Sequence, residues 1–147
     1  MIFKPLTIAD IPAVVVLEQA ANVYPWTQYA FSSSFTNSYF NVKLLNAEND
    51  ILGFYIAQLM ADQVELFNIC VAKAAQGQGF GKALLQHFLS QGQTQGAAEA
   101  LLEVRSSNFT AIALYQNLGF AINGVRKGYY TAATGTEDAL LMHRALI

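Results

Sequence analysis

Hydrophobic and polar positions in the first half of the chain form one helical pattern and several strand-like runs. A short apolar stretch at residues 2–6 is followed by Thr7 and, three residues later, by Asp10, which is the spacing of a helix N-terminal cap. The apolar positions after Asp10 follow a helical period, and this helix has to end before Pro25. Runs rich in β-branched and aromatic residues come next, at 39–45, 51–60 and 64–71. The pattern predicts a strand, a helix and an antiparallel meander, with a second short helix at 31–35.

The second half of the chain alternates between helical and strand patterns. The predicted elements are a helix at 82–90, a strand at 100–104, a helix at 108–118 that ends before Gly119, and strands at 120–126 and 138–146. The first of these helices is amphipathic, because Leu84, Leu85 and Phe88 fall on one face. Seven strands with helices between them predict an α/β domain built on a mixed sheet.

Composition narrows the class of protein. With 147 residues, the chain fits one domain covering 1–147. A hydrophobic share of 54% with only 12% charged residues excludes intrinsic disorder, and the net charge of -2 argues against nucleic-acid binding. A single cysteine, Cys70, permits neither an intrachain disulfide nor a Cys-rich metal site. With no targeting signal and no stretch long enough to span a bilayer, we expect a cytoplasmic protein that needs no membrane. The sequence leaves the oligomeric state open, a monomer being one possibility.

The loop at 76–81 suggests a phosphate-binding site. It does not fit a P-loop, which needs glycine at Gln76 and a hydroxyl residue at Ala83, and it does not fit a dinucleotide fingerprint, which needs glycine at Lys82. A pattern of Gln-x-x-Gly-x-Gly before a helix can still present backbone N–H groups to a diphosphate, because glycines leave no Cβ in the way. The alternative is a flexible glycine turn that happens to precede a helix.

The order of strand, glycine loop, helix, strand and helix resembles the GNAT superfamily of acyl-CoA-dependent N-acetyltransferases. Within it the chain looks like the RimI type, which acetylates the N-terminal alanine of a small-subunit ribosomal protein. The matching segments run from residue 25 to the C-terminal strand: 25–26, 39–41, 66–69, 102–105, 108, 111–115, 118–120, 129–130 and 137–138. The resemblance implies a mixed, mostly antiparallel sheet of about seven strands, acetyl-CoA as co-substrate and no metal.

The resemblance also implies roles for individual residues. Glu103 would be the general base and Tyr115 the general acid, whereas the residues alone also allow an exposed Glu103 paired with a neighbour such as Arg105, and a Tyr115 that only packs in the core. Asn108 could contact the cofactor or merely cap its helix. The backbone N–H of Val71 would stabilise the oxyanion. The positions assigned to acetyl-CoA binding are Ile69, Cys70, Val71, Gln76, Gly77, Gln78, Gly79, Phe80, Gly81, Lys82, Asn108 and Tyr115.

Two further features concern the chemistry of this loop and strand. The loop begins with Gln76 where many members of the superfamily have arginine, so the diphosphate would depend more on backbone amides and on Lys82. A covalent route through Cys70 would need a neighbouring base, and neither His87 nor His143 is linked to it by any motif. We therefore expect direct transfer in a ternary complex, with Cys70 as a buried strand residue.

The acceptor is the least determined part of the function. The resemblance implies the N-terminal peptide of a small-subunit ribosomal protein; the alternatives are a small amine or lysine side chain, or a non-enzymatic acyl-CoA-binding module. The segments Pro25-Trp26 and Tyr129-Tyr130, expected in loops, could grip a peptide, although Trp26 could equally be a core anchor. The acids Glu18, Glu65, Glu137 and Asp138 could attract arginines of a basic peptide or simply lie solvated at the surface.

Overall fold

The computed structural model describes residues 1–147, which form seven strands and four α-helices. In chain order they are β1 (Ile2–Pro5), α1 (Ile11–Ala21), α2 (Gln28–Ser32), β2 (Val42–Leu45), β3 (Ile51–Met60), β4 (Gln63–Val71), α3 (Phe80–Thr94), β5 (Glu99–Arg105), α4 (Phe109–Asn117), β6 (Ala121–Ala132) and β7 (Gly135–Ala145). None of the helices is long and apolar enough to cross a membrane.

All seven strands belong to one sheet in the order β1-β2-β3-β4-β5-β7-β6. Every neighbouring pair is antiparallel except β4 and β5, which run parallel. The predicted mixed, mostly antiparallel sheet of seven strands flanked by helices is confirmed.

The bounds of several elements differ from the prediction, and helix α3, predicted at 82–90, runs from Phe80 to Thr94. Helix α2 begins at Gln28 because the hydroxyl oxygen of Thr27 accepts a hydrogen bond from the Ala30 amide and caps it. Strand β2 begins only at Val42, since Ser38 adopts a left-handed conformation (φ 76°) and the segment after it makes only isolated bridges. Strand β6 runs to Ala132, so Tyr129 and Tyr130 lie in a strand and not in a loop.

Hydrophobic side chains pack on both faces of the sheet. The larger cluster joins α3 and α4 to one face through residues such as Leu84, Phe88 and Tyr115. The smaller cluster joins α1 and α2 to the other face, where Val14 and Phe31 meet Phe54, Ile56 and Cys70. Because successive strand residues point to opposite faces, the central strands β3 and β4 contribute to both clusters.

The sheet opens between its two parallel strands. Strands β4 and β5 are paired only from Gln63 and Glu99 to Leu66 and Leu102. Phe67 then has no partner in β3, which is a β-bulge in β4. Beyond it β4 continues along β3 while β5 continues along β7, so the two strands separate and leave a gap in the middle of the sheet.

Candidate active site

The gap between β4 and β5 connects two cavities, one on each face of the sheet. The cavity on the α3 and α4 face, here called the glycine-loop cavity, has a volume of about 410 Å³ and is lined by residues from the loop, from β4 and from α4. The cavity on the α1 and α2 face, here called the aromatic cavity, has a volume of about 330 Å³ and is lined by Tyr24, Trp26, Glu103 and their neighbours. Ile69, Asn108 and Tyr115 line both.

The edge of β4 that faces the gap carries unpaired backbone groups. The amide of Ala72, just past the end of β4, donates to Leu52 of β3, so alternation along the strand directs the amides of Cys70 and Asn68 to β3 as well. The amides and carbonyls of Ile69 and Val71 therefore face the gap. The Val71 carbonyl already accepts a hydrogen bond from Nε2 of Gln76, at 3.2 Å.

The glycine loop has the backbone conformation that its sequence suggests. Gly77 and Gly79 have φ angles of 79° and 85°, a left-handed region that residues with a Cβ rarely adopt. None of the amides from Gly77 to Lys82 donates to another backbone group, and those from Phe80 onward form the first turn of the 15-residue helix α3. The loop therefore presents free N–H groups and the positive end of a helix dipole to the glycine-loop cavity.

Most of the residues predicted to bind the cofactor line this cavity, but three do not. Gln78 lies on the far side of the loop, in a separate surface depression, and the Lys82 side chain is exposed outside the cavity lining. The thiol of Cys70 lies in the smaller core cluster, where burial raises its pKa to about 12. The buried-cysteine interpretation is thus confirmed, and the side chain of Cys70 does not reach the gap.

Both histidines are engaged away from Cys70. Nδ1 of His87 lies 2.8 Å from the Tyr55 hydroxyl, and Nδ1 of His143 lies 2.9 Å from Oε1 of Glu99. Neither imidazole is placed to activate the thiol. No cluster of three or more His, Cys, Asp or Glu side chains is arranged to hold a metal ion.

Tyr115 packs in the core, as one of its two interpretations expected, and also borders the gap. Its ring belongs to the larger core cluster and packs edge-on against Phe120, with centroids 6.0 Å apart. Its hydroxyl makes no hydrogen bond within the protein, and the residue borders both cavities at the gap. Burial, with a contribution from nearby Tyr130, raises the pKa of Tyr115 to about 12, so the phenol keeps its proton throughout the neutral range.

Asn108 caps helix α4, because its Oδ1 accepts a hydrogen bond from the Ala111 amide at 3.2 Å. The capping interpretation is confirmed. The same residue also lines both cavities beside Tyr115, so the cap places a polar side chain at the gap.

Glu103 lies in β5 and borders the aromatic cavity. Both of its carboxylate oxygens accept from Nη1 of Arg126, at 3.1 and 3.3 Å, and its side chain remains 26% exposed. The alternative that Glu103 pairs with a neighbouring cation holds in part, but the partner is Arg126 and not Arg105, whose guanidinium pairs with Glu137. A carboxylate that is fixed by an arginine but still open to the cavity is suited to accept a proton from a group bound there.

Arg105 joins the two segments that flank the aromatic cavity. Its guanidinium lies 3.6 Å from the ring centroid of Tyr24, in the loop after α1, and 4.5 Å from that of Tyr130, in β6. It also donates to Oε1 of Glu137 at 2.9 Å, which holds the pKa of that carboxyl below its usual range. Sequence reasoning missed this role, although strand alternation places residues 103 and 105 of β5 on the same face.

Glu18 is fully buried, which contradicts its expected place at the surface. Its Oε2 accepts from the Trp26 amide and from Nδ2 of Asn68, both at 2.9 Å, and its Oε1 has no partner. The carboxylate therefore ties the loop after α1 to β4, across the base of the aromatic cavity. Its position four residues after Val14, on the buried face of α1, was the signal that the sequence contained.

Trp26 is a core anchor that also borders the aromatic cavity. Its ring packs against Phe31 in the smaller core cluster, with centroids 5.3 Å apart, and it also lines the aromatic cavity. Its loop position between α1 and α2 is confirmed.

Comparison with known proteins identifies the family of this fold. The model of the acetyltransferase (GNAT) family matches residues 11–120. The chain is 40% identical over 137 residues to the [ribosomal protein bS18]-alanine N-acetyltransferase of Salmonella typhimurium, covering 93% of this chain and 92% of that protein.

Solved structures give the same result. The crystal structure of the ribosomal-protein-S18-alanine N-acetyltransferase from Escherichia coli superposes with a TM-score of 0.93 at 38% identity, covering 99% of this chain and 93% of that one. A phosphinothricin acetyltransferase of the GNAT superfamily from Sinorhizobium meliloti, solved in complex with AcCoA, has the same fold at 20% identity. Its TM-score is 0.81, with 98% of this chain and 87% of that chain covered.

The contacts of Glu18 predict how two substitutions change stability. Glu18→Ala leaves two buried N–H donors without an acceptor, so the free energy of unfolding should fall by about 3 kcal/mol. Glu18→Gln keeps an acceptor oxygen and removes an unpaired buried charge, so the same quantity should change by less than about 1 kcal/mol. Urea unfolding measures both values, with exposed Glu48→Ala as control. Equal destabilisation by Ala and Gln would show that the charge, not the acceptor oxygen, holds the loop.

Proposed function

The chain belongs to the GNAT acetyltransferase family, and we propose that it transfers the acetyl group of acetyl-CoA to the α-amino group of the N-terminal alanine of ribosomal protein bS18. The observation that carries this proposal is the gap between β4 and β5, which joins a cavity rich in free backbone amides to a cavity that contains a carboxylate. The names of the relatives that match nearly the whole chain support the acceptor. Ribosomal proteins are made in the cytoplasm, so the reaction would take place there.

The residues around the glycine-loop cavity fit coenzyme A. The free amides between Gly77 and Lys82 and the positive end of α3 bind the diphosphate. Gln76 contributes no charge, and its amide already holds the Val71 carbonyl. Diphosphate binding therefore depends mainly on backbone groups, whose contribution does not require a basic side chain.

The free edge of β4 holds the rest of the cofactor. The backbone groups of Ile69 that face the gap bind the amides of the pantetheine arm as a neighbouring strand would. The free amide of Val71 donates to the carbonyl oxygen of the acetyl group and stabilises the negative charge that develops there. The cofactor supplies an activated acetyl thioester, and the remaining steps belong to side chains of the protein.

Glu103 removes the proton from the acceptor amine. An α-amino group has an unperturbed pKa of roughly 7.7–8.0, so most of it is protonated and unreactive at neutral pH. The carboxylate, fixed by Arg126 on one side and open to the aromatic cavity on the other, takes this proton directly or through a water molecule.

Tyr115 donates a proton to the leaving group. Its phenol lies at the gap between the two cavities and stays protonated, because its pKa is raised to about 12. Donation from this hydroxyl to the departing thiolate of coenzyme A makes the leaving group neutral. The transfer is direct, since the only cysteine is buried in the opposite core cluster.

The proposed function predicts which substrates release coenzyme A. A short basic peptide that begins with alanine should release thiol in the presence of acetyl-CoA, and the same peptide with a blocked N-terminus should not, because it has no free α-amine. Thiol release followed with a chromogenic reagent measures both rates. Equal rates would contradict the α-amine acceptor and favour a lysine side chain, release with small amines only would favour the small-molecule alternative, and coenzyme A binding without any release would favour a binding module.

Substitution of the proposed base predicts a change in the pH–rate profile. Glu103→Gln should lower kcat by about 10²-fold and remove the fall in rate that protonation of the Glu103 carboxylate causes at acidic pH, because glutamine has no carboxylate to be protonated. Acetyl-CoA affinity, measured by calorimetry, should be unchanged. An unchanged acidic limb would assign the base role to another group.

Substitution of the proposed acid gives a separate prediction. Tyr115→Phe keeps the ring that packs against Phe120 and removes only the hydroxyl, so kcat should fall by roughly 10²-fold while the thermal unfolding midpoint changes little. Tyr39→Phe, which removes a hydroxyl from a tyrosine outside both cavities, is the matched control. A Tyr115→Phe variant with normal kcat would exclude Tyr115 as the acid.

A further inference from the structure

A third cavity continues the aromatic cavity along the same face of the sheet. It has a volume of about 320 Å³ and shares Trp26, Phe67, Glu103 and Tyr130 with the aromatic cavity. Glu65 lies in its lining, and we call it the Glu65 cavity. The two cavities therefore form one groove that passes the proposed base and extends beyond it.

Glu65 is the carboxylate in this groove that has no partner. It accepts no hydrogen bond and forms no ion pair, whereas the other acids considered for peptide binding are engaged: Glu18 with Trp26 and Asn68, Glu137 with Arg105, and Asp138 with Gly128 and Lys127. The cation that faces it, Arg126, donates to Glu103 and lies 4.4 Å from the ring centroid of Tyr129. Burial, together with the nearby charge of Glu103, raises the pKa of Glu65, and the more distant attraction of Arg126 only partly opposes this rise.

The walls of the Glu65 cavity suit a cationic side chain. The rings of Trp26, Phe67 and Tyr129 line it, and aromatic faces attract ammonium and guanidinium groups. The protein already uses this chemistry twice nearby, where Arg105 lies between two tyrosine rings and Arg126 lies over Tyr129. A guanidinium also pairs with a carboxylate through two parallel hydrogen bonds.

The position of Glu65 relative to the base indicates which acceptor residue would reach it. In the parallel pairing of β4 and β5, Glu65 is opposite Leu101, two residues before Glu103. Two strand residues span roughly 7 Å. If the α-amine lies at Glu103, the side chain that enters the neighbouring cavity is that of the second residue, one peptide unit away.

We propose that the Glu65 cavity binds a positively charged side chain at the second position of the acceptor peptide, with Glu65 as its counter-ion and the aromatic rings as its walls. This inference rests on the proposed function, since it presumes an α-amine at Glu103. It makes Glu65 a specificity-determining residue that takes no part in proton transfer.

The test compares peptides that differ only in charge at the second position. Three Ala-initiated peptides carry arginine, citrulline or glutamate there; citrulline has nearly the shape of arginine without its charge. With saturating acetyl-CoA, kcat/KM should be about tenfold higher for arginine than for citrulline and lower again for glutamate, with the difference mainly in KM. Raising the salt concentration should reduce the preference.

Two variants locate the origin of the preference. Glu65→Gln should make kcat/KM for the arginine and citrulline peptides equal within about twofold, while kcat on the citrulline peptide and the KM for acetyl-CoA stay unchanged. Asp62→Asn, which removes an exposed carboxylate from the turn just before β4 and outside the lining of the groove, should keep the full preference. Circular dichroism and the unchanged acetyl-CoA KM establish that both variants are folded.

Each other outcome overturns the inference in a recognisable way. Equal acetylation of the arginine and citrulline peptides by the unmodified protein would refute the inference and leave the proposed function intact. A preference that survives in Glu65→Gln would place the selecting group elsewhere. If no Ala-initiated peptide is acetylated at all, the proposed function fails and the inference fails with it.

Discussion

The rest of the site depends on the point where two parallel strands stop pairing. After Leu66 and Leu102, β4 and β5 follow different neighbours, and the edge of β4 is left with unpaired amides and carbonyls inside the sheet. Buried backbone groups of this kind need partners, because leaving them unsatisfied costs as much as a lost hydrogen bond. A ligand with amides along its length supplies those partners, so the same break in the sheet opens a passage and provides the means to bind what enters it.

The acceptor side of the gap is built from polar contacts between segments that are far apart in the chain. Glu18 holds the loop after α1 against β4 through a buried carboxylate, and Arg105 connects that loop to β6 through two tyrosine rings. Because the loop is held at both ends, Trp26 keeps a defined position at the wall of the groove. In a chain with only 12% charged residues, most of the charges near the groove fix its shape.

The two carboxylates of the groove, Glu103 and Glu65, differ in whether they have a charged partner, and this difference matches their two proposed functions. Arg126 holds the proposed base in place, whereas Glu65 stays without a counter-ion within the same groove. A catalytic group needs a fixed position relative to the substrate. A group that selects the substrate needs to lack a partner within the protein, so that only the right substrate supplies one. The aromatic rings line the groove beside both carboxylates and offer faces to a cation.

The sequence alone determined the elements and the glycine loop. Apolar periodicity, caps and turn residues are local signals, so the helices and strands were predicted within a few residues, except that β6 continues six residues further, to Ala132. The loop conformation follows from Gly77 and Gly79 themselves. The roles of Glu103 and Tyr115 came from the resemblance to a family, because a glutamate in a strand or a tyrosine in a helix can have several different functions. Only the tertiary structure decided that the two border one gap, that Glu18 is buried against Asn68 fifty residues away, and that Arg105 pairs with Glu137 and not with Glu103. These facts depend on contacts between distant segments, and no local pattern of residues specifies which distant segments meet.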